Sequence, residues 1–266
     1  MKASRRFLNR MVLLFTLFVA VSSPAAKAGN PSATHSTNHL LRGLDLASRK
    51  YPEEAVAEFK KCNDLSAASA LQLRTIAQAY FEAGEPESSL KVIDYALLQE
   101  RVKHDTFIRA VLLELRGNAL VALNRRSEAV ESYKLAASTN SAMACPLWAK
   151  AGELLMTENK YKEALPLLNK AVVGTRMKGF VYQNIGHCYL ELKDPAKAIV
   201  ALTSSIEAFE TFRKKQSEAF LPGLVGSHKY LVRAYKEAGK KEEAVLWQKR
   251  LDSLVTTLDK DFFGNH

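Results

Sequence analysis

Residues 148–171 read WAKAGELLMTENKYKEALPLLNKA. Trp148, Ala151, Gly152 and Leu155 recur at offsets 0, 3, 4 and 7, which places them on one face of an α-helix. Asn159 suits the end of that helix, because Asn tolerates the left-handed backbone that terminates helices. A second helix follows, with Ala164, Leu165, Leu168 and Ala171 on its apolar face. Gly152 carries no side chain and lets a partner helix approach closely, and Ala164 and Ala171 are small enough to keep it there. Two short helices of this kind cannot bury their apolar faces alone; they need copies of themselves on either side.

The copies are present. Upstream lie Leu113, Arg116-Gly117, Leu120, Ala129, Tyr133 and Ala136; before them Leu73, Ile76-Ala77, Tyr80, Ser89, Ile93 and Ala96; and first His39, Arg42-Gly43, Leu46, Ala55, Phe59 and Cys62. Downstream lie Tyr182, Ile185-Gly186, Tyr189, Ala198, Leu202 and Ser205, then His228, Leu231-Val232, Tyr235, Ala244, Gln248 and Leu251. The spacing resembles the tetratricopeptide repeat (TPR), W-x2-L-G-x2-Y followed by A-x3-F. The resemblance implies an all-α chain: an α-solenoid of about six TPR-like helix-turn-helix repeats in a right-handed superhelix, spanning residues 38–258. No stretch shows strand alternation.

The residue opening each second helix falls at 55, 89, 129, 164, 198 and 244, in steps of 34, 40, 35, 34 and 46. Against a 34-residue unit, about six residues are added near 100–106 (ERVKHDT), where Asp105 or Thr106 can cap the next helix. About twelve are added around 208–221 (AFETFRKKQSEAFL). Here the second helix of the fifth repeat is expected to overrun to about residue 215, with Pro222 entering the first turn of the next helix, where its missing N–H costs nothing. The overrun is either a contact surface or a spacer.

Residues 1–28 read as a secretory signal peptide: Lys2, Arg5, Arg6 and Arg10 precede an apolar run from Met11 to Val21, and Ala26-Lys27-Ala28 forms a cleavage pattern. The run is shorter than the ~20 residues that span a bilayer. Residues 29–37 are expected to be a flexible linker and 259–266 a tail carrying Phe262 and Phe263. The chain holds 38 basic and 28 acidic residues, and five of the basic ones fall in the leader. The remaining 33 against 28 are scattered, which points away from a nucleic-acid partner.

No metalloprotease, phosphate-loop, nucleophile-elbow or C-x-x-C pattern occurs. His35 and His39 lack neighbours that would complete a metal site. Cys62, Cys145 and Cys188 are read as small buried apolar residues, unbridged because the repeat map keeps them apart. No catalytic, cofactor or metal residue is assigned. A close, desolvated His187–Glu153 pair in a deep pocket would speak for catalysis instead.

What the TPR resemblance implies about function is a concave face lined by the first helices of the repeats. The residues one and five after each Trp148-equivalent position point into it: Arg74 and Gln78, Glu114 and Asn118, Ala149 and Glu153, Gln183 and His187, Lys229 and Arg233. Nine of these ten are polar or charged, which fits a wet groove. Arg74 and Gln78 come nearest to the Lys–Asn clamp that some relatives close on a C-terminal carboxylate, but the Asn and Lys expected in the following repeats are missing. The charge order suits an extended peptide of mixed charge, with Arg74 and Arg233 pairing carboxylates near its ends. The expectation is an exported, non-enzymatic scaffold of a bacterial periplasm or cell envelope, holding a protein or peptide partner, without nucleic acid and without a stable membrane span after cleavage. A regulatory or assembly subunit of an envelope enzyme or secretion complex is the alternative.

Overall fold

A computed structural model describes residues 31–62, 64–175, 177–213 and 221–263. The described chain contains helices and no strand. It divides into two compact units, one ending at Val102 and the other beginning at Lys103. The first unit holds α1 (Pro31–Ser48), α2 (Pro52–Phe59), α3 (Ala70–Glu82) and α4 (Pro86–Leu98). A single turn, α5 (Glu100–Lys103), straddles the division. The second unit holds α6 (Thr106–Ala122), α7 (Arg126–Thr139), a 3-10 turn at Ser141–Met143, α8 (Ala144–Thr157), α9 (Tyr161–Val172), α10 (Lys178–Glu191), α11 (Pro195–Arg213), α12 (Leu221–Glu237) and α13 (Lys241–Phe263). The helices pair in order into two TPR-like hairpins in the first unit and four in the second, and within each unit successive hairpins are in contact. The first addition falls at 99–105; of the second, 208–213 continue α11 and 214–220 lie outside the described residues.

The hairpins share one turn. Lys50, Gly84, Asn124, Asn159, Lys193 and Gly239 each take a positive φ, from 58° to 76°. The next residue then donates its N–H to the carbonyl five positions back: Tyr51 to Leu46, Glu85 to Tyr80, Arg125 to Leu120, Lys160 to Leu155, Asp194 to Tyr189, and Lys240 to Tyr235, at 2.8–3.1 Å. This closes the first helix with the wide bond of a Schellman motif and starts the second helix two residues later. Elsewhere side chains cap. Ser69 Oγ accepts from Gln72 N–H at 3.2 Å while Gln72 Oε1 accepts from Ser69 N–H at 2.7 Å, a reciprocal capping box. Asp105, one of the two residues suited to the task, accepts from Ile108 N–H at 2.9 Å.

Within a hairpin the close approach is made at a fixed offset. A Cβ on Gly43, Gly117, Gly152 or Gly186 would strike Phe59, Tyr133, Leu168 or Leu202 respectively, each sixteen residues on. Repeat two keeps the register with Ala77 and Ile93, both fully buried. In the 148–171 stretch Ala151, Leu155, Ala164, Leu168 and Ala171 are buried as the spacing predicts. Leu167 is also buried, whereas Leu165 and Trp148 are only partly covered. Trp148 instead carries Lys170 Nζ 4.5 Å above its ring.

Three expectations change. The helix of the first hairpin begins at Pro31, inside the stretch expected to be a linker. Proline is at home in a first helical turn, and the extension is held where Cys62 Sγ meets Ser36 O at 3.6 Å. One turn on, His39 Nδ1 lies 2.6 Å from Glu58 Oε2. Glu58 also accepts from Lys61, and these two hydrogen bonds lower its pKa to about 2. At the other end α13 continues to Phe263, five residues past the expected end. Third, of the three cysteines, all free, only Cys188 is fully buried; Cys62 and Cys145 are half-buried. The leader at 1–28 lies outside the described residues.

The overrun of α11 is a packed element as far as it is described. Its Phe209 is 2% exposed and meets Phe180 edge-on at 4.8 Å. A Cβ on Gly179 or Gly223 would clash with its ring, so both glycines exist to admit it. Beneath it Ser205 Oγ donates to Gly179 O at 2.7 Å and shares a 2.8 Å hydrogen bond with Ser227 Oγ. Phe209 thus fastens the start of α12 to the start of α10, which favours the spacer reading for this part.

Candidate functional site

The first helices of the second unit's repeats stand side by side, tied by polar bridges. Lys150 Nζ on α8 reaches Glu114 Oε1 on α6 at 2.6 Å. Asn184 Nδ2 on α10 reaches Glu153 Oε1 on α8 at 3.0 Å. Arg233 Nη1 on α12 reaches Glu191 Oε1 on α10 at 2.8 Å. Of the residues expected to line a groove, Glu114, Glu153 and Arg233 reach from one first helix to the next in these bridges. Most of them are already engaged.

Asn118 Oδ1 accepts the hydroxyl of Tyr133 at 2.8 Å, and burial pushes that phenol's pKa up to about 12. Gln183 Nε2 donates to Gly223 O at 3.2 Å and works as a repeat-to-repeat tie. Arg233 is doubly held, since its Nε also donates to Glu237 Oε1 at 2.7 Å. Those two carboxylates raise its pKa, and Arg233 in turn lowers that of Glu191. Arg233, expected to pair a partner's carboxylate, already has two carboxylates supplied within the fold.

His187 stacks on Tyr230, with ring centroids 4.8 Å apart and planes 18° from parallel, and meets Tyr161 at 6.0 Å. Its Nε2 lies 3.6 Å from Glu191 Oε1, too long for a good hydrogen bond. Burial lowers its pKa, so the ring is neutral near pH 7. Glu153 belongs to a different bridge, and the His187–Glu153 pair that would have spoken for catalysis is not the arrangement formed. Two cavities lie away from these side chains: about 170 Å³ beside Val130, Leu155 and Leu167, and about 570 Å³ beside Leu41, Leu46 and Glu58.

Two groove residues of this unit remain open. Lys229 is exposed, with no ion pair among the described residues. Glu153 is exposed too, yet its pKa is raised, first of all by desolvation. The two observations are compatible, because flanking helices can reduce the water around a carboxylate without covering it. In the first unit, Gln78 Nε2 is spent on Glu82 Oε1 at 2.8 Å. Arg74 is half-buried there, its Nε has no acceptor among the described residues, and desolvation lowers its pKa.

Sequence reasoning missed the partners in these bridges. Lys150, Asn184 and Tyr230 occupy one register position, two after Trp148, Tyr182 and His228. Their recurrence at that position was the available signal. Glu191 follows His187 by one helical turn, where an acid is ordinarily read as solvated.

The fold is one of TPR-like solenoid hairpins, and in the second unit the first helices meet through largely self-paired polar side chains. Residues 181–212, the core of the fifth hairpin, match the tetratricopeptide repeat family. Among solved structures the chain is similar to MamA from Desulfovibrio magneticus, at 19% identity and a TM-score of 0.56 over 73% of this chain and 98% of that one. It is also similar to BtubC from P. vanneervenii, at 15% identity and a TM-score of 0.57 over 87% and 93% of the two chains. At these identities the likeness is one of fold. No curated protein matches the sequence.

Proposed function

We propose that this chain is an exported, non-enzymatic scaffold that holds an extended protein segment against the first helices of its second unit. The observation that carries the reading is the wall itself. Its bridges fix the spacing of α6, α8, α10 and α12 and leave Glu153 and Lys229 exposed and without ion pairs among the described residues. A pre-organised face with a few unspent charges suits recognition of a polar chain better than chemistry, since fixed side chains lose little freedom on binding. Export, to a bacterial periplasm or envelope, rests on the pattern of residues 1–28. No helix among the described residues is long and apolar enough to cross a membrane.

The reading is tested by placing a photo-crosslinking residue at Ala149 or Lys229, two positions expected to face the groove, and at Leu135 or Val200, which are exposed on second helices, in the full chain expressed with its leader. Adducts from the inner positions alone support the groove. Adducts from the outer positions alone transfer the partner to the other face. N-terminal sequencing of the recovered protein should begin at Gly29, and retention of Met1 would remove the export assignment.

A further inference from the structure

We infer that Glu153 is the subsite for a basic side chain, preferentially arginine, of the segment held by this wall. The inference rests on the groove reading above and adds the chemistry of the guest. Each of the other first-helix acids at these bridges has a cation: Glu114 has Lys150, and Glu191 and Glu237 share Arg233. Glu153 alone among them is met by a neutral amide, from Asn184 to Oε1, and its Oε2 accepts no hydrogen bond among the described residues. The cation nearest along its own helix, Lys150, one turn earlier, is turned toward Glu114 and lies 5.7 Å from the ring of Tyr133. The carboxylate is thus exposed yet partly desolvated and forms no ion pair: Lys150 acts on it only through space and does not offset the desolvation. Its raised pKa states the same deficit as a proton affinity.

A guest cation corrects that deficit, and the surroundings favour a planar one. Asn184 lies one helical turn from His187 on the same face of α10. Asn184, which holds the carboxylate, thus shares a helix face with His187, whose ring stacks on Tyr230 and meets Tyr161. A guanidinium can pair its N–H groups with the open carboxylate oxygen while its plane or its methylene stem lies along the rings. Lysine satisfies the charge without the stacking. The two sides of the wall then differ in sign: Glu153 takes a base, and Lys229, two repeats on, takes an acid.

The test titrates the isotopically labelled full-length protein, followed by amide NMR, with a short Ser-Gly peptide bearing one central arginine and with its citrulline counterpart. The arginine peptide should shift the amides of Glu153, Asn184 and His187 and bind about tenfold tighter than the citrulline peptide, the value of one charge-assisted hydrogen bond. Glu153→Gln should abolish the difference and Glu153→Asp keep part of it. Equal binding of both peptides at these amides would overturn the charge preference and leave the groove standing. Shifts confined to the outer helices, or none, would overturn the subsite, and the cross-linking result then decides whether the groove goes with it.

Discussion

A Cβ on Gly152 would lie 2.8 Å from both Cγ and Cδ2 of Leu168, a side chain with no exposed surface. The contact joins the two helices of one hairpin at their closest approach, and the same sixteen-residue offset recurs at three other glycines. Alanine at 152 is the better helix former by up to about 1 kcal/mol, but it must displace a buried leucine that has nowhere to go. Overpacking of this kind costs about 1–3 kcal/mol. Gly152→Ala should therefore lower stability by about 1 kcal/mol net, read from the urea midpoint. Combining it with Leu168→Ala should give less than the sum of the single effects, because the alanine methyl refills the space vacated. Additive losses would mean that the two residues do not share the contact.

Lys193 holds a φ of 60° at a position where two of its five counterparts are glycine and two are asparagine. A side chain with a Cβ is strained there by about 1–2 kcal/mol, while glycine is not. Lys193→Gly is expected to raise stability by about 0.5–1 kcal/mol after the extra freedom of glycine in the unfolded chain is discounted. A thermal midpoint that falls on this substitution would show that the lysine side chain does more than fill a turn.

The difference between these turns and the inner wall shows what could be read from the chain beforehand. Gly152, Ala164 and Leu168 were legible because backbone spacing dictates which residues meet inside a hairpin, and a repeat displays that spacing several times. The turn at Asn159 was legible for the same local reason. The pairing of Arg233 was not. Its carboxylates come from Glu191 in the preceding repeat and Glu237 one turn on, and the choice between them and a partner's acid depends on side-chain reach across two helices. The extended α1 was missed because a short polar run has no apolar period, and its order comes from tertiary contact with Cys62.

Arg233 sets the charge state of its neighbour. His187 feels three influences: desolvation and Arg233 lower its pKa, and Glu191 raises it. Arg233→Met removes the repulsion and frees Glu191 from its strongest partner. The His187 pKa, followed through its ring Cε1 proton by NMR, should therefore rise. The change in stability should stay below about 1 kcal/mol, because the Arg233 side chain is 39% exposed and its pairs are partly screened. A His187 pKa that stays put would mean that Arg233 and Glu191 do not govern the ring.

Acid should loosen the last two repeats before the rest. His187 and His228 are both held neutral by burial, their pKa values lowered from 6.5. His228 Nδ1 sits 2.9 Å from Leu224 O, and its ring lies against Trp247. The unfolded chain binds these protons more readily than the folded one, so stability rises with pH across the gap between the two states. The contribution is complete above the unfolded value of 6.5 and is progressively lost as pH falls through the lowered folded values. Glu153 has the opposite sign: its raised pKa makes the folded form the better proton acceptor, which offsets part of the loss as pH falls toward 4.5. Glu58 has a lowered pKa: its contribution is complete above the unfolded value of 4.5 and is lost as pH falls from there toward about 2, so the first hairpin should outlast the last two at pH 5.5. Amide hydrogen exchange at pH 7.5 and pH 5.5, corrected for the intrinsic pH dependence of exchange, should show protection falling in α10, α12 and α13 and holding in α2. His228→Phe, which keeps a ring against Trp247 without a titrating nitrogen, should remove much of that loss in α12 and α13. Uniform loss of protection across both units would place the acid sensitivity elsewhere than in these two rings.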